Sequence, residues 1–290
     1  MSKKKSLKDL TIKDNFMFGA VMCDEENCKG LLERILNIAI DRVDVSKEKC
    51  IVYHPAYKGV RLDVYAKDVH GTHYDIEMQA VRRIAIEKRS RYYHSQMDME
   101  FLHSGESYDK LPNSYVIFIC DFDPFGERKY CYTFENTCKE DKNLFLKDGR
   151  KSIFLSTKGE NDQEVSTSLV RFLKFVAADL SESENNFEDE FVKCLQNSVK
   201  HVKGSREMEE NFMLFQEMLE EERAEGREEG RAEGQKEALA NSVITVLELK
   251  GRIPQEVYDK IMQEENLEVL RQWVQKAAKA ESIAQFLEQI

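Results

Sequence analysis

Two short segments, RLDVYAK at 61–67 and HYDIEMQA at 73–80, alternate apolar and polar residues with a period of two. Leu62, Val64 and Ala66 alternate with Asp63, Tyr65 and Lys67, and Ile76, Met78 and Ala80 alternate with Asp75, Glu77 and Gln79. A period of two predicts strands with one buried face, and both segments put their acidic residues on the other face. The intervening DVHGT suits a tight hairpin, with Gly71 at the left-handed last position of a three-residue loop. Pairing about that loop sets Asp63 beside or diagonal to Glu77. Two carboxylates and the Gln79 amide then share one surface, an arrangement that suits a divalent cation.

The chemistry of such a surface is specific. Hydrolysing a phosphodiester requires neutralising charge on a five-coordinate phosphorus and generating hydroxide near neutral pH, and Mg²⁺ or Mn²⁺ held by hard oxygen ligands does both. Asp63 and Glu77 are the candidate ligands, with the backbone carbonyl of Met78 as a third. Gln79 carries no charge but can hydrogen-bond the attacking water or the phosphate. Glu33, on a preceding helix, is a further candidate acidic ligand. The plainer alternative is an ordinary polar sheet face, since the bare Asp-x13-Glu-x-Gln spacing is not rare. His70 and His73 flank the turn and read as solvent-facing.

Charge is distributed unevenly. The net charge of −11 is carried by the second half: residues 1–160 sum to +1 and residues 161–290 to −12. Directly after the second strand comes VRRIAIEKRSRYY at 81–93, where Arg82, Arg83, Lys88, Arg89 and Arg91 face only Glu87. A local basic stretch of this kind can hold phosphates on an otherwise acidic protein; a solvated helix face is the alternative.

Helical spacing runs from Thr11 to about Asp41, broken near residues 24–27 into two helices with Asp24 or Glu25 at the second N-terminus. A first strand follows over DRVDVSKEKCIVYHP, then the hairpin, then a helix from Ile84 to about Leu102 with Tyr92, Tyr93, Met97 and Phe101 on one side. The nearly continuous apolar run SYVIFICDF at 114–122 predicts a central strand covered on both faces. KYCYTFENTC at 129–138 and SIFLST at 152–157 predict further strands, added at the edge. The result is a mixed α/β sheet of five or six strands. No glycine-rich loop follows a strand, which excludes the usual dinucleotide and ATP signals.

Residues 165–200 are amphipathic and helical, including Leu180 in the apolar stripe. From Arg206 to Lys250 the pattern is one long helix or two collinear ones. Gly226, Gly230 and Gly234 recur every fourth residue within EERAEGREEGRAEGQKEA, either a smooth stripe for another helix or a charged tether. The tail from 251 predicts a small helical unit, with Pro254, Asn266 and Ser282 at helix starts and Trp273 in its core. No apolar run reaches 18 residues, and the basic start lacks a signal peptide's apolar stretch, so neither membrane span nor leader is expected. Seven cysteines without a CxxC pair predict reduced, mostly buried thiols in a cytoplasmic protein and no structural zinc.

In order and spacing the chain resembles the PD-(D/E)XK nuclease-like family of transposases and recombination-promoting nucleases. The matching segments are TIKDNFMFGAVM, RLDVYAKD followed by YDIEMQ, KRSRYYHSQM, NSYVIFICDFDPF and the EGREEGRAEG helix. The resemblance implies an αβββαβ restriction-endonuclease-like core and an all-helical C-terminal extension. It places Asp63 on the motif's aspartate, Glu77 on its second acid and Gln79 where the motif usually has lysine. Asp14 falls on a recurring acidic position.

The implied organisation is a nuclease domain at 1–160, bridging helices at 161–203, a long charged helix at 204–250 and a helical tail at 251–290. The implied activity is Mg²⁺-dependent DNA endonuclease with little sequence preference, linked to recombination or mobile elements. Arg82, Arg83, Lys88, Arg89 and Arg91 would contact the DNA backbone, and the C-terminal helices would form a homodimer. The competing expectation is a non-catalytic, nuclease-derived module that binds DNA or protein.

Overall fold

The hairpin lies within a six-stranded mixed sheet in the computed structural model, which describes residues 5–51 and 60–290. Residues 52–55 of the expected first strand lie outside the described residues. Two helices open the chain, α1 (Asn15–Met22) and α2 (Glu25–Leu36). They are separated where expected, and the Asp24 side chain caps α2 by accepting from the Asn27 N–H at 3.0 Å.

Strands β1 (Val43–Ile51), β2 (Val60–Asp68) and β3 (His73–Gln79) follow, with each neighbouring pair antiparallel. The β2–β3 turn closes with the Asp68 N–H on the Thr72 carbonyl and the Gly71 N–H on the Asp68 carbonyl, both at 3.1 Å. Gly71 sits at φ +80°, as its place in a three-residue loop requires. The Asp68 carboxylate adds bonds from the His70 and Thr72 N–H groups and the Tyr74 hydroxyl.

The chain then crosses the sheet as α3 (Ile86–Phe101) and enters β4 (Ser114–Cys120), parallel to β3. Helix α3 starts two residues later than its apolar pattern suggests. Ala85 takes a left-handed φ of +59° and Ile84 is left 96% exposed. β5 (Cys131–Phe134) and β6 (Arg150–Ser156) complete the sheet in the order β1-β2-β3-β4-β6-β5. β6 is therefore not an edge addition: it pairs parallel with β4 and antiparallel with β5. The edge falls to β5, which is short and partly exposed.

The two faces of the sheet have different covers. Tyr65, Val116, Phe118, Cys120 and Phe154 pack with Ile86, Tyr93 and Met97 of α3. On the opposite parity Val64, Ile76, Met78, Ile117, Ile119 and Leu155 are also buried. Helix α1 contacts β1, β2 and β3, while α4 (Thr167–Ala177) and α5 (Glu190–Gly204) pack on α1 and α2. Leu180 is 43% exposed, because α4 ends at Ala177 and the chain turns away before the apolar stripe reaches it.

This double cover corrects three sequence expectations. Both faces of β3 are buried, not one, because α3 lies across the polar face. His73 is buried rather than solvent-facing: its Nδ1 meets the Tyr65 hydroxyl and its ring stacks on Phe101 at 4.1 Å. The thiols are less buried than expected. Cys28 and Cys120 are in the core, Cys131 and Cys138 are intermediate, and Cys23 and Cys194 are exposed.

Residues up to Phe212 form one compact unit and Met213–Ile290 a second. Helix α6 (Arg206–Glu248) is continuous, and Phe212 packs on Phe16 at 5.1 Å. Gly226, Gly230 and Gly234 face open space. In the second unit α7 (Gln255–Gln263), α8 (Leu267–Lys279) and α9 (Ile283–Leu287) enclose Trp273, Leu270, Ala277 and Phe286 against Val243 and Leu247. Pro254 stands at the N-cap of α7; the Asn266 and Ser282 side chains cap α8 and α9. Among the described residues, no helix is long and apolar enough to cross a membrane.

Candidate active site

The β2–β3 ladder ends at Val64–Ile76, and one step beyond it Asp63 stands opposite Glu77. There the side chains make the bonds that backbone groups make elsewhere. The Asp63 N–H donates to Glu77 Oε1 at 3.1 Å, and the Met78 N–H donates to Asp63 Oδ2 at 3.2 Å. The two carboxylates therefore meet across the strand gap from the same face.

Backbone direction supplies a third oxygen. The N–H and C=O of one strand residue point to the same side, and successive residues alternate. The Gln79 carbonyl accepts from the Asp121 N–H on the β4 side. The Met78 N–H reaches β2, so the Met78 carbonyl also points into the gap beside Asp63 and Glu77.

Burial sets the electrostatics. Asp63 is partly exposed, whereas Glu77 and Gln79 are buried and Asp75 is fully buried. Burial first, then the charge on Asp63, pushes the Glu77 carboxyl up to about 8. Asp75 is raised by burial first and by the charges of Glu77 and Asp63 next. A side-chain hydrogen bond to Glu77 raises Asp75 further and lowers Glu77, so a protonated Asp75 donates to the Glu77 carboxylate. Asp75 shares the parity of Glu77, and its burial under α3 is what the sequence did not disclose.

One cation enters this cluster from α3. Arg89 Nη2 lies 3.3 Å from Glu77 Oε2, and Arg89 Nη1 donates to Gln79 Oε1 at 3.1 Å. The guanidinium also donates to the Tyr93 hydroxyl at 2.6 Å. Arg89 is thus turned inward, unlike the other basic residues of its stretch.

Arg82, Arg83, Lys88 and Arg91 are exposed. Arg82 donates to the Asp123 carbonyl and lies over the Phe122 ring at 5.4 Å. Arg91 is two helical positions from Arg89, roughly 200° around the axis. It lines a separate 240 Å³ cleft with Ser90, His94, Arg150 and Phe154. The floor of that cleft is a buried network in which His94 bonds Ser114 at 2.9 Å and Ser152 at 3.1 Å.

Two candidates are occupied locally. Glu33 Oε1 accepts from the Ile40 N–H at 2.9 Å, closing the loop after α2, and no hydrogen bond or ion pair among the described residues brings it to Asp63 or Glu77. Asp14 accepts from the Thr11 N–H at 2.8 Å and pairs with Lys5 at 2.9 Å, so it braces the start of α1.

Among the described residues, no three His, Cys, Asp or Glu side chains converge closely enough to enclose a metal ion. The donor set at the strand gap is two carboxylates and a backbone carbonyl. That set fits a hard cation that keeps several waters, as Mg²⁺ does, and not a soft metal needing thiolate or imidazole.

The family model described as PD-(D/E)XK nuclease family transposase matches residues 12–239, which include the sheet, the strand gap and α3. No curated protein and no solved structure matches the chain. With a mixed sheet of this order and a family match over most of its length, the chain belongs to the PD-(D/E)XK nuclease family transposases.

Proposed function

We propose that the protein is a Mg²⁺-dependent DNA endonuclease with little sequence preference, acting in recombination or on mobile elements. The observation that carries this reading is the reciprocal bonding of Asp63 and Glu77 across the β2–β3 gap, with the Met78 carbonyl beside them. Asp63, Glu77 and that carbonyl would hold the ion, with Mn²⁺ as a possible substitute. When bound, the ion supplies charge neutralisation at the phosphate and a more acidic water.

The protein groups do the rest. Glu77 must be ionised to bind, which works against its raised affinity for a proton. The Gln79 amide holds the attacking water by a hydrogen bond and takes no proton itself. The attacking water would give up its proton to solvent as it bonds to phosphorus, the bond to the leaving sugar oxygen would break, and that oxygen would take a proton from solvent. Arg82, Arg83, Lys88 and Arg91 bind backbone phosphates, giving affinity without reading sequence. The helices from Arg206 onward pair two copies, which suits cutting both strands. The reading places the protein in the cytoplasm.

A second reading, a non-catalytic module that binds DNA or protein, is favoured by one contact: Glu77 is already satisfied by Arg89. Supercoiled plasmid with Mg²⁺ separates the two. The parent should nick and linearise it and Asp63→Asn should not. Equal behaviour of parent and variant would end the nuclease reading at this site. Calorimetric titration with Mn²⁺ should give binding that Asp63→Asn abolishes; a parent that binds none, with or without DNA, would favour the module.

A further inference from the structure

Hydrolysis of a phosphodiester builds negative charge on the phosphoryl oxygens and on the leaving oxygen, and fixed donors aimed there lower the barrier. At the strand gap the protein offers carboxylates and a neutral amide. The cation that the described ion pairs bring to them is Arg89.

Its placement is unlike that of a surface phosphate contact. The Arg89 side chain is only 26% exposed and lies over the faces of Tyr93 at 5.3 Å and Phe118 at 5.6 Å. Tyr93 and Phe118 belong to the packed core under α3. The guanidinium is therefore held by two aromatic faces and a hydroxyl, while its far edge spans Glu77 Oε2 and Gln79 Oε1.

A guanidinium has five N–H donors, and three are used in these bonds. One Nη1–H and the Nε–H remain, on opposite sides of the guanidinium, so a fork onto one phosphate would use the Nη1/Nη2 edge that Gln79 and Glu77 hold here. Planar, forked donors match the paired oxygens of a phosphate. A dication between Asp63 and Glu77 would repel the guanidinium from Glu77 Oε2 while the Tyr93 tether kept it beside the gap.

We infer that Arg89 is a catalytic residue: its guanidinium, which rests on Glu77 and Gln79 here, donates to the non-bridging oxygens of the scissile phosphate when metal and DNA are bound. Tyr93 is the positioning residue that keeps it there. The inference rests on the nuclease reading and adds the source of positive charge that Gln79 cannot provide.

The test compares parent, Arg89→Gln, Arg89→Lys and Asp63→Asn, each checked for fold by circular dichroism. Three readouts are taken: single-turnover plasmid cleavage with Mg²⁺, titration with Mn²⁺ alone, and anisotropy with a labelled duplex. Arg89→Gln should cleave ~10²–10³-fold more slowly, the size expected for losing one transition-state donor. It should bind Mn²⁺ at least as tightly as the parent and bind DNA within about twofold of it. Arg89→Lys should recover part of the rate, and it serves as the test if the glutamine variant does not fold.

Parental cleavage by Arg89→Gln or, in its place, by Arg89→Lys would overturn the inference. So would loss of Mn²⁺ binding in both variants, which would make Arg89 a prop for Glu77. If parent and Asp63→Asn cleave alike, the nuclease reading itself fails, a result distinct from either of these.

Discussion

The Glu77 carboxylate meets the Arg89 guanidinium at 3.3 Å, and that contact controls when Glu77 is free to bind anything else. The pair is nearly dry on the Glu77 side, which is 2% exposed. Charge on Glu77 is costly without a partner, and a proton or the Arg89 guanidinium meets that need.

The proton has a measurable signature. Glu77 titrates near 8 in the folded chain against 4.5 for an ordinary glutamate, so the folded state holds a proton that the unfolded state has released between those values. Stability from this group is complete below about 4.5 and is lost as pH rises toward 8. In chelator-treated protein Glu77→Gln should be more stable than the parent at pH 8, by ~1–3 kcal/mol for removing a buried charge, with a higher thermal midpoint, and differ little from it at pH 4.5. Melting curves of the two proteins that stay parallel across this range would refute the assignment.

Salt dependence sorts the basic residues. Arg83, Lys88 and Arg91 are exposed, whereas Arg89 is turned to Glu77. Replacing any of the three exposed residues by alanine should lower the slope of log K against log salt for duplex binding by ~1. Measured with chelator present, where Arg89 stays on Glu77, Arg89→Gln should leave that slope unchanged. An unchanged slope in all three alanine variants would remove this stretch from the DNA interface.

His94 is a structural test well away from the carboxylates. Burial, more than the nearby Arg150, holds its imidazole down to about 3, so it stays neutral between Ser114 and Ser152. Its folded value lies below the ordinary 6.5, so its contribution is full above 6.5 and is lost as pH falls toward 3. His94→Ala strands the buried Ser114 hydroxyl, leaves Ser152 only its bond to Ser90 and opens space, which should cost ~2–4 kcal/mol in urea unfolding at pH 7. A cost below about 0.5 kcal/mol would show that the network contributes little.

The glycine stripe distinguishes assembly from tether. Gly226, Gly230 and Gly234 have open space where a side chain would go, so each change to alanine should favour the helix by ~1 kcal/mol. In a homodimer packed through the stripe, the triple alanine variant should gain helix by circular dichroism yet sediment as a monomer where the parent is a dimer. Identical sedimentation of the two proteins would leave the tether as the role of this segment.

Local chemistry made much of this legible. Gly71 and the two alternating segments gave the turn and put Asp63 beside or diagonal to Glu77, and the strand pairing sets the two directly opposite. Asp24, Asn266 and Ser282 announced their helix starts through the need to satisfy free N–H groups. What period cannot convey is what lies over a face. The polar parity of β3 reads as solvent-facing, yet α3 crosses it, burying Asp75 and His73 and turning Arg89 inward. Strand order is equally invisible to period: β6 entered beside β4 and left β5 at the edge, a choice made by long-range pairing. Glu33 had the right charge, but the Ile40 N–H claims it.

Past Val64–Ile76 the sheet is fastened by two acidic side chains instead of peptide groups. If the proposed ion draws on those oxygens, it would loosen the fastening, and the amide hydrogens of Asp63 and Met78 would gauge its loading. Their exchange with deuterated solvent should quicken as Mn²⁺ is added and slow again on chelation, reporting occupancy without any substrate present.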